Sequence, residues 1–196
     1  DAASERITGY DGREIAPAGA RADMFLDARG RPMSFMDAQA SGRSTGVPLL
    51  VSMLKLAHDD HGRLPWARLF EPASRLAEEG FEVSPRLAGF IAAAGERMRL
   101  RADFEARAYF FDRRGNPLPV GAVLRNPAYA ATLRAIAEQG PQALSEGPIA
   151  EAIVATARRN PRGGTLTLDD LRNAQARRFE PVCGAYRVYR VCSTSA

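Results

Sequence analysis

Lysine is almost missing from this sequence. Lys55 is the only one, and the net charge of +4 rests on arginine. The arginines alternate with Asp and Glu through the helical segments, which describes a solvated mixed-charge face. A DNA or RNA surface needs a basic stripe with interleaved aromatics, so nucleic acid is excluded as a partner. Histidine is scarce too. His58 and His61 flank Asp59 and Asp60 at the end of one helical segment, where consecutive side chains point to different faces; the four read as a solvated helix end, not a metal cluster. There is no Gly-x-Ser-x-Gly elbow, P-loop, Gly-x-Gly-x-x-Gly after a strand, or zinc spacing, so neither metal nor cofactor is called for. No nucleophile with a nearby base stands out; the hydroxyls of Ser193, Thr194 and Ser195 read as a tail. Long apolar runs are also absent. Residues 47–54 are broken by Pro48 and Ser52 and fall well short of the ~20 residues that span a bilayer. No signal peptide is visible, and residues 1–7 read as a segment already under way.

Only two cysteines are present, Cys183 and Cys192. A hairpin centred near Arg187 would bring them within disulfide reach, whereas a turn at Gly184-Ala185 would leave Cys192 distant. Both remain open at this level; a disulfide would imply an oxidising compartment. With 196 residues, 45% of them hydrophobic, the chain can bury one ordinary core, so residues 1–196 read as a single domain or a large piece of one.

What is present begins with Asp11-Gly12-Arg13-Glu14-Ile15-Ala16-Pro17. Gly12 permits a sharp turn, and Pro17 fixes φ where a helix over residues 16–22 would start. An arginine constrained in this way can present its planar fork to a carboxylate. The bland alternative makes Arg13 and Glu14 a solvated pair on a surface turn. Residues 25–35 contain a turn signal, Asp27-Ala28-Arg29-Gly30-Arg31-Pro32. Ser41-Gly42-Arg43-Ser44-Thr45-Gly46-Val47-Pro48 resembles an anion cradle before a helix whose first residue is Pro48 and which its hydroxyls would cap.

From there the pattern is helical. An amphipathic core helix carries Leu50, Val51, Leu54 and Ala57; a helical turn over residues 66–70 leads at Pro72 into a helix burying Ala73, Leu76 and Ala77 and stopped by Gly80. Ser84-Pro85 caps a helix with Leu87, Ile91, Ala94 and Met98 on one stripe. Asn126-Pro127 starts another, with Tyr129, Leu133, Ile136 and Ala137 inward and Gly140 as its stop. One more follows Gly147-Pro148 and buries Ile149, Ile153 and Val154, and a short one opens at Thr167-Leu168-Asp169-Asp170 as a capping box. Trp66 reads as core filler and residues 104–111 as a short aromatic piece. Residues 177–192 change period and read as a β-hairpin or two edge strands.

Several stretches together resemble the γ-glutamyltranspeptidase family. They include Gly12-Arg13-Glu14-Ile15-Ala16-Pro17, the loop from Ser41 to Pro48, His61-Gly62-Arg63-Leu64-Pro65-Trp66 and Phe70-Glu71-Pro72-Ala73. Further pieces are Leu76-Ala77-Glu78-Glu79-Gly80-Phe81, Gly163-Gly164-Thr165-Leu166-Thr167 and Tyr186-Arg187-Val188-Tyr189. In order and at sensible spacing they cover nearly the whole chain. The resemblance implies an α/β (α+β) fold: part of a four-layer αββα N-terminal nucleophile hydrolase sandwich, here mainly helical with a C-terminal β-hairpin. It implies the large-subunit part of a precursor that cuts itself, acting on glutathione-like γ-glutamyl amides with a partner small subunit whose N-terminal threonine is the nucleophile. Arg13 then maps onto the arginine that binds the substrate α-carboxylate, no catalytic residue lies in this chain, and the compartment is periplasmic or secreted. The chain departs from the family at Leu49, where glycine is usual, and after Cys192, where a proline-rich Ser-Ser-Gly-Gly-like segment is expected. On this reading the chain alone is inactive. An acylase of the same architecture and a non-catalytic helical module binding a partner or an anionic ligand are the rivals.

Overall fold

Two clusters of buried side chains organise the chain. The computed structural model describes residues 6–97, 100–159 and 162–194. In chain order these form β1 (Gly9–Asp11), α1 (Phe35–Gln39), α2 (Leu50–His61), α3 (Glu71–Glu79), β2 (Phe81–Glu82), α4 (Pro85–Arg97) and α5 (Phe104–Phe110). There follow β3 (Val123–Leu124), α6 (Pro127–Gln139), α7 (Gln142–Ser145), α8 (Gly147–Ala157), α9 (Leu168–Asn173), β4 (Arg177–Phe179), β5 (Val182–Tyr186) and β6 (Tyr189–Ser193). Short 3-10 turns occupy Gly42–Ser44, Trp66–Phe70 and Leu100–Ala102. The fold is α+β and mainly helical, and ends in a β-hairpin, as expected.

The first cluster joins Ala77 of α3 to Ala130 and Leu133 of α6, with Phe70 against it. The Trp66 indole N–H donates to Ile136 O at 3.0 Å, which ties this tryptophan to α6. The second cluster joins Val47, Ala150, Ala157, Leu166 and Leu171, backed by Ile153 and Val154. Gly42 and Gly164 let two loops meet above it: a Cβ on Gly42 would lie 1.7 Å from Ala157 O, and one on Gly164 2.0 Å from Gly42 O.

Local signals worked where the partner is near in sequence. The Asn126 side chain accepts from Tyr129 N at 2.9 Å, Ser84 Oγ from Leu87 N at 3.2 Å, and Thr167 with Asp170 forms the capping box. Elsewhere the structure corrects the pattern. No helix occupies residues 16–22; buried Pro17 starts a turn closed by Ala20 N to its carbonyl at 2.9 Å. Helix α2 starts at Leu50, not Pro48, and Leu49 caps it without a side-chain bond. The loop hydroxyls go elsewhere, Ser41 Oγ to Ala38 O and Ser44 Oγ to Ser41 O, so they do not cap α2. No residue of α2 is buried, and Leu50, Leu54, Leu76 of α3 and Tyr129 of α6 are exposed. Residues 104–110 are helical because Asp103 accepts from Ala106 N at 2.8 Å. Met98 and Ser195 lie outside the described residues.

The tail also differs in pairing. Residues 177–179 leave the hairpin and pair with β1, whereas β5 and β6 form the hairpin alone, turning at Arg187 and Val188 with Arg187 at φ 55°. The register sets Cys183 opposite Cys192, their Cα atoms 4.1 Å apart, and the two form a disulfide. Of the two turns open from sequence, the one at Arg187 is therefore correct.

The chain exposes 14,044 Å². A folded monomer of its mass, 21.2 kDa, exposes about 9,100 Å². Much apolar surface is left uncovered.

Candidate functional site

Strand β1 pairs antiparallel with β4 in register Gly9–Phe179, Tyr10–Arg178 and Asp11–Arg177. Alternation then sends Arg177 and Arg178 to opposite faces of the ladder. On one face Arg177 Nε and Nη2 donate to Asp11 Oδ2 at 3.2 and 3.1 Å. The other Asp11 oxygen accepts from the backbone N–H of Arg13 at 3.1 Å. The Arg13 hydrogen bond first, and the Arg177 guanidinium second, hold the Asp11 carboxyl below the usual carboxylate range.

Arg13 therefore begins where Asp11 ends the ladder. Gly12 has no positive φ, and its missing side chain admits α2: a Cβ there would lie 2.3 Å from Met53 Cβ and 3.2 Å from Leu49 O. Beyond Arg13, Ile15 exchanges backbone bonds with Val47, at 2.8 Å from Val47 N and 3.4 Å from Ile15 N. Val47 is 2% exposed in the second cluster, so that bridge ties the loop to the core. Ala18 N donates to Asp170 Oδ1 at 2.8 Å at the start of α9, which pins the next turn. The backbone around Arg13 is thus fixed on both sides while its guanidinium is 84% exposed, 3.7 Å from Glu14. At that distance Glu14 is an ion-pair partner and not a hydrogen-bond partner. Of the two descriptions offered by the sequence, the exposed pair with Glu14 is present, on a backbone held at both ends.

The opposite face brings Asp60 and His61, read from sequence as a solvated helix end, onto Tyr10 and Arg178, which the sequence did not single out. Arg178 Nε and Nη2 donate to Asp60 Oδ2 and Oδ1, each at 2.6 Å. The Tyr10 hydroxyl donates to Asp60 Oδ2 at 2.7 Å and lies 2.8 Å from His61 Nε2. Arg178 and then Tyr10 hold the Asp60 carboxyl far below its ordinary value, and the bond to Asp60 raises the Tyr10 phenol. A cleft of about 910 Å³ opens here, lined among others by Tyr10, His61, Arg178, Phe179 and Arg190. His58 turns away, its Nε2 2.8 Å from Leu64 O and its ring edge-on to Trp66, so the two histidines serve separate contacts. No signal in a single sequence pairs residue 60 with residue 178.

The family profile for gamma-glutamyltranspeptidase matches residues 1–196. A glutathione hydrolase proenzyme of Escherichia coli is 37% identical over 186 residues, which are 95% of this chain and 31% of that relative. The crystal structure of Helicobacter pylori gamma-glutamyltranspeptidase superposes with a TM-score of 0.86 at 30% identity, over 95% of this chain and 52% of that one. A cephalosporin acylase from Bacillus halodurans superposes at 0.72 with 29% identity, over 95% of this chain and 34% of that one. The chain thus spans about a third of the length of the curated relatives it matches. Sequence and fold agree: the chain belongs to the gamma-glutamyltranspeptidase family and has the corresponding part of the N-terminal nucleophile hydrolase fold.

Proposed function

We propose that this chain is the carboxylate-binding part of an enzyme that transfers or hydrolyses the γ-glutamyl group of glutathione-like amides. The observation that carries the proposal is Arg13: its backbone is held by Asp11, α2 and Val47, and its fork is open to solvent. The α-carboxylate of a γ-glutamyl substrate would take two parallel hydrogen bonds from that fork, which fixes the scissile amide at a set distance from the reacting group. Bond cleavage belongs to a threonine nucleophile supplied by a small subunit outside these 196 residues, and this chain alone is inactive. The large exposed surface supports packing against further protein of that kind. The disulfide supports a periplasmic or secreted protein.

In the complete enzyme, Arg13→Lys should raise KM for a γ-glutamyl amide about ten- to a hundredfold, because a point charge replaces a bidentate fork. An unchanged KM would sink the assignment. The likeness to the cephalosporin acylase favours a second reading, an acylase for bulkier amides. Steady-state rates on a γ-glutamyl anilide and on a cephalosporin-type amide separate the two.

A further inference from the structure

We propose that Asp60 and Arg178, bridged by the Tyr10 hydroxyl and backed by His61, form a positioning cluster that holds the β1–β4 ladder against α2 and thereby sets the place of Arg13. The inference rests on the reading of Arg13 as the carboxylate-binding group.

Three elements meet at this point. Asp60 lies in the last turn of α2, Arg178 in the middle of β4 and Tyr10 in the middle of β1. The ladder has only three residue pairs, and a two-stranded ladder of that length is marginal by itself. Within this chain, side chains help to set its orientation. The Asp60 carboxylate takes both prongs of the Arg178 fork at 2.6 Å and the Tyr10 hydroxyl at 2.7 Å, so a single group ties both strands of the central pair to the helix. His61, one residue on, closes against the same hydroxyl at 2.8 Å with its ring edge-on to that of Tyr10.

The helix touches β1 at a second place. Gly12 sits on Leu49 O and Met53 near the start of α2. Residues 53 and 60 are separated by about 10 Å along a helix, so the two contacts fix both the position and the angle of the strand on α2. Arg13 follows directly. Among the described residues, none of the four cluster side chains hydrogen-bonds Arg13, so their effect on a substrate must pass through the backbone of β1. The Asp11–Arg177 pair on the opposite face shapes the Arg13 turn itself. The Asp60 cluster decides where that turn stands relative to the rest of the molecule.

The test uses the complete enzyme, with γ-glutamyl-p-nitroanilide as substrate and L-glutamate and 4-aminobutanoate as competing inhibitors. The two inhibitors differ only by the α-carboxylate. Asp60→Asn should raise KM about three- to tenfold with kcat within about twofold, and should weaken L-glutamate by a similar factor while leaving 4-aminobutanoate within about twofold. The exchanged pair Asp60→Arg with Arg178→Asp should return KM to within about twofold of the parent. The inference is overturned if KM in Asp60→Asn is unchanged while Arg13→Lys raises it. It also falls if both inhibitors weaken alike, which marks general loosening, or if the exchanged pair folds but restores nothing. Should Asp60→Asn fail to fold, Tyr10→Phe carries the test: a rise in KM of about twofold or more supports the cluster, and no change refutes it. If Arg13→Lys itself leaves KM unaltered, the fault lies with the reading of Arg13.

Discussion

Replacing Gly42 by alanine should cost far more than a methyl group normally does, and the reason lies in backbone spacing. The new Cβ would stand 1.7 Å from Ala157 O and 3.0 Å from Gly164 N, where real Cβ contacts begin near 3.0 Å. The two loops must separate by 3.0 − 1.7 = 1.3 Å. That movement breaks or stretches two hydrogen bonds, Gly42 N to Arg162 O at 3.0 Å and Gly164 N to Ala157 O at 2.7 Å. Each contributes about 1 kcal/mol, and forced overpacking beside Ala157 and Leu166 adds about 1–3, so the total is about 3–5 kcal/mol. In a complete enzyme about three times this length, scanned at a fixed rate, the apparent Tm should fall by about 2–4 °C. Gly184→Ala is the control: its Cβ meets nothing within 4 Å, and the expected change is within about 0.5 kcal/mol. If Gly42→Ala melts within about 0.5 °C of the parent, or no lower than Gly184→Ala, the close approach of the two loops is not what requires glycine.

Acid should act on the Asp60 cluster with a definite sign. An unfolded aspartate titrates near ~3.9 and Asp60 lies well below that in the fold, so its contribution is complete above the unfolded value and is lost as pH falls towards the folded one. The difference in Tm between the parent and Asp60→Asn should therefore shrink between about pH 5 and pH 3; a constant or growing difference would contradict the pairing. The hairpin gives an independent check. The peptide carrying Cys183 and Cys192 should be lighter by two hydrogens until reduced. Reduction should remove on the order of 2–3 kcal/mol locally and speed proteolysis between Tyr186 and Tyr189, while equal cleavage rates would show that the link does not restrain the tip.

The parts of the fold that were legible are those whose physics is closed within a few residues. Asn126, Ser84 and Thr167 cap helices because the unsatisfied N–H groups lie two or three positions away. The hairpin itself was legible, but its turn was not: only the observed register, which sets Tyr186 opposite Tyr189 and Cys183 opposite Cys192, chose Arg187 over Gly184-Ala185. The apolar stripes were less faithful. Leu50 and Leu54 keep helical spacing yet stand 59% and 49% exposed, because a stripe records which face is apolar and not whether anything covers it. The glycine-rich loop before α2 misled for a related reason: glycine permits close approach by a phosphate or by another backbone, and here the neighbours are the backbone atoms of Ala157 and Gly164.

Arg13 was singled out from sequence as a constrained arginine, and its constraint is real, but the origin differs. The glycine before it makes room for Met53, and the proline after it starts no helix. What holds the turn is Asp11, Arg177 and the bridge from Ile15 to Val47, partners up to 166 residues away. By itself the sequence determined residue chemistry and short-range order: an arginine able to fork, helix caps, a terminal hairpin, and a family order of motifs that assigns the chain its place. Tertiary structure alone decided that β4 leaves the hairpin for β1, that Asp60 meets Arg178 and that Val47 anchors the Arg13 loop. Such pairings depend on how separate elements pack, and no local pattern along one chain encodes which distant surface each will meet.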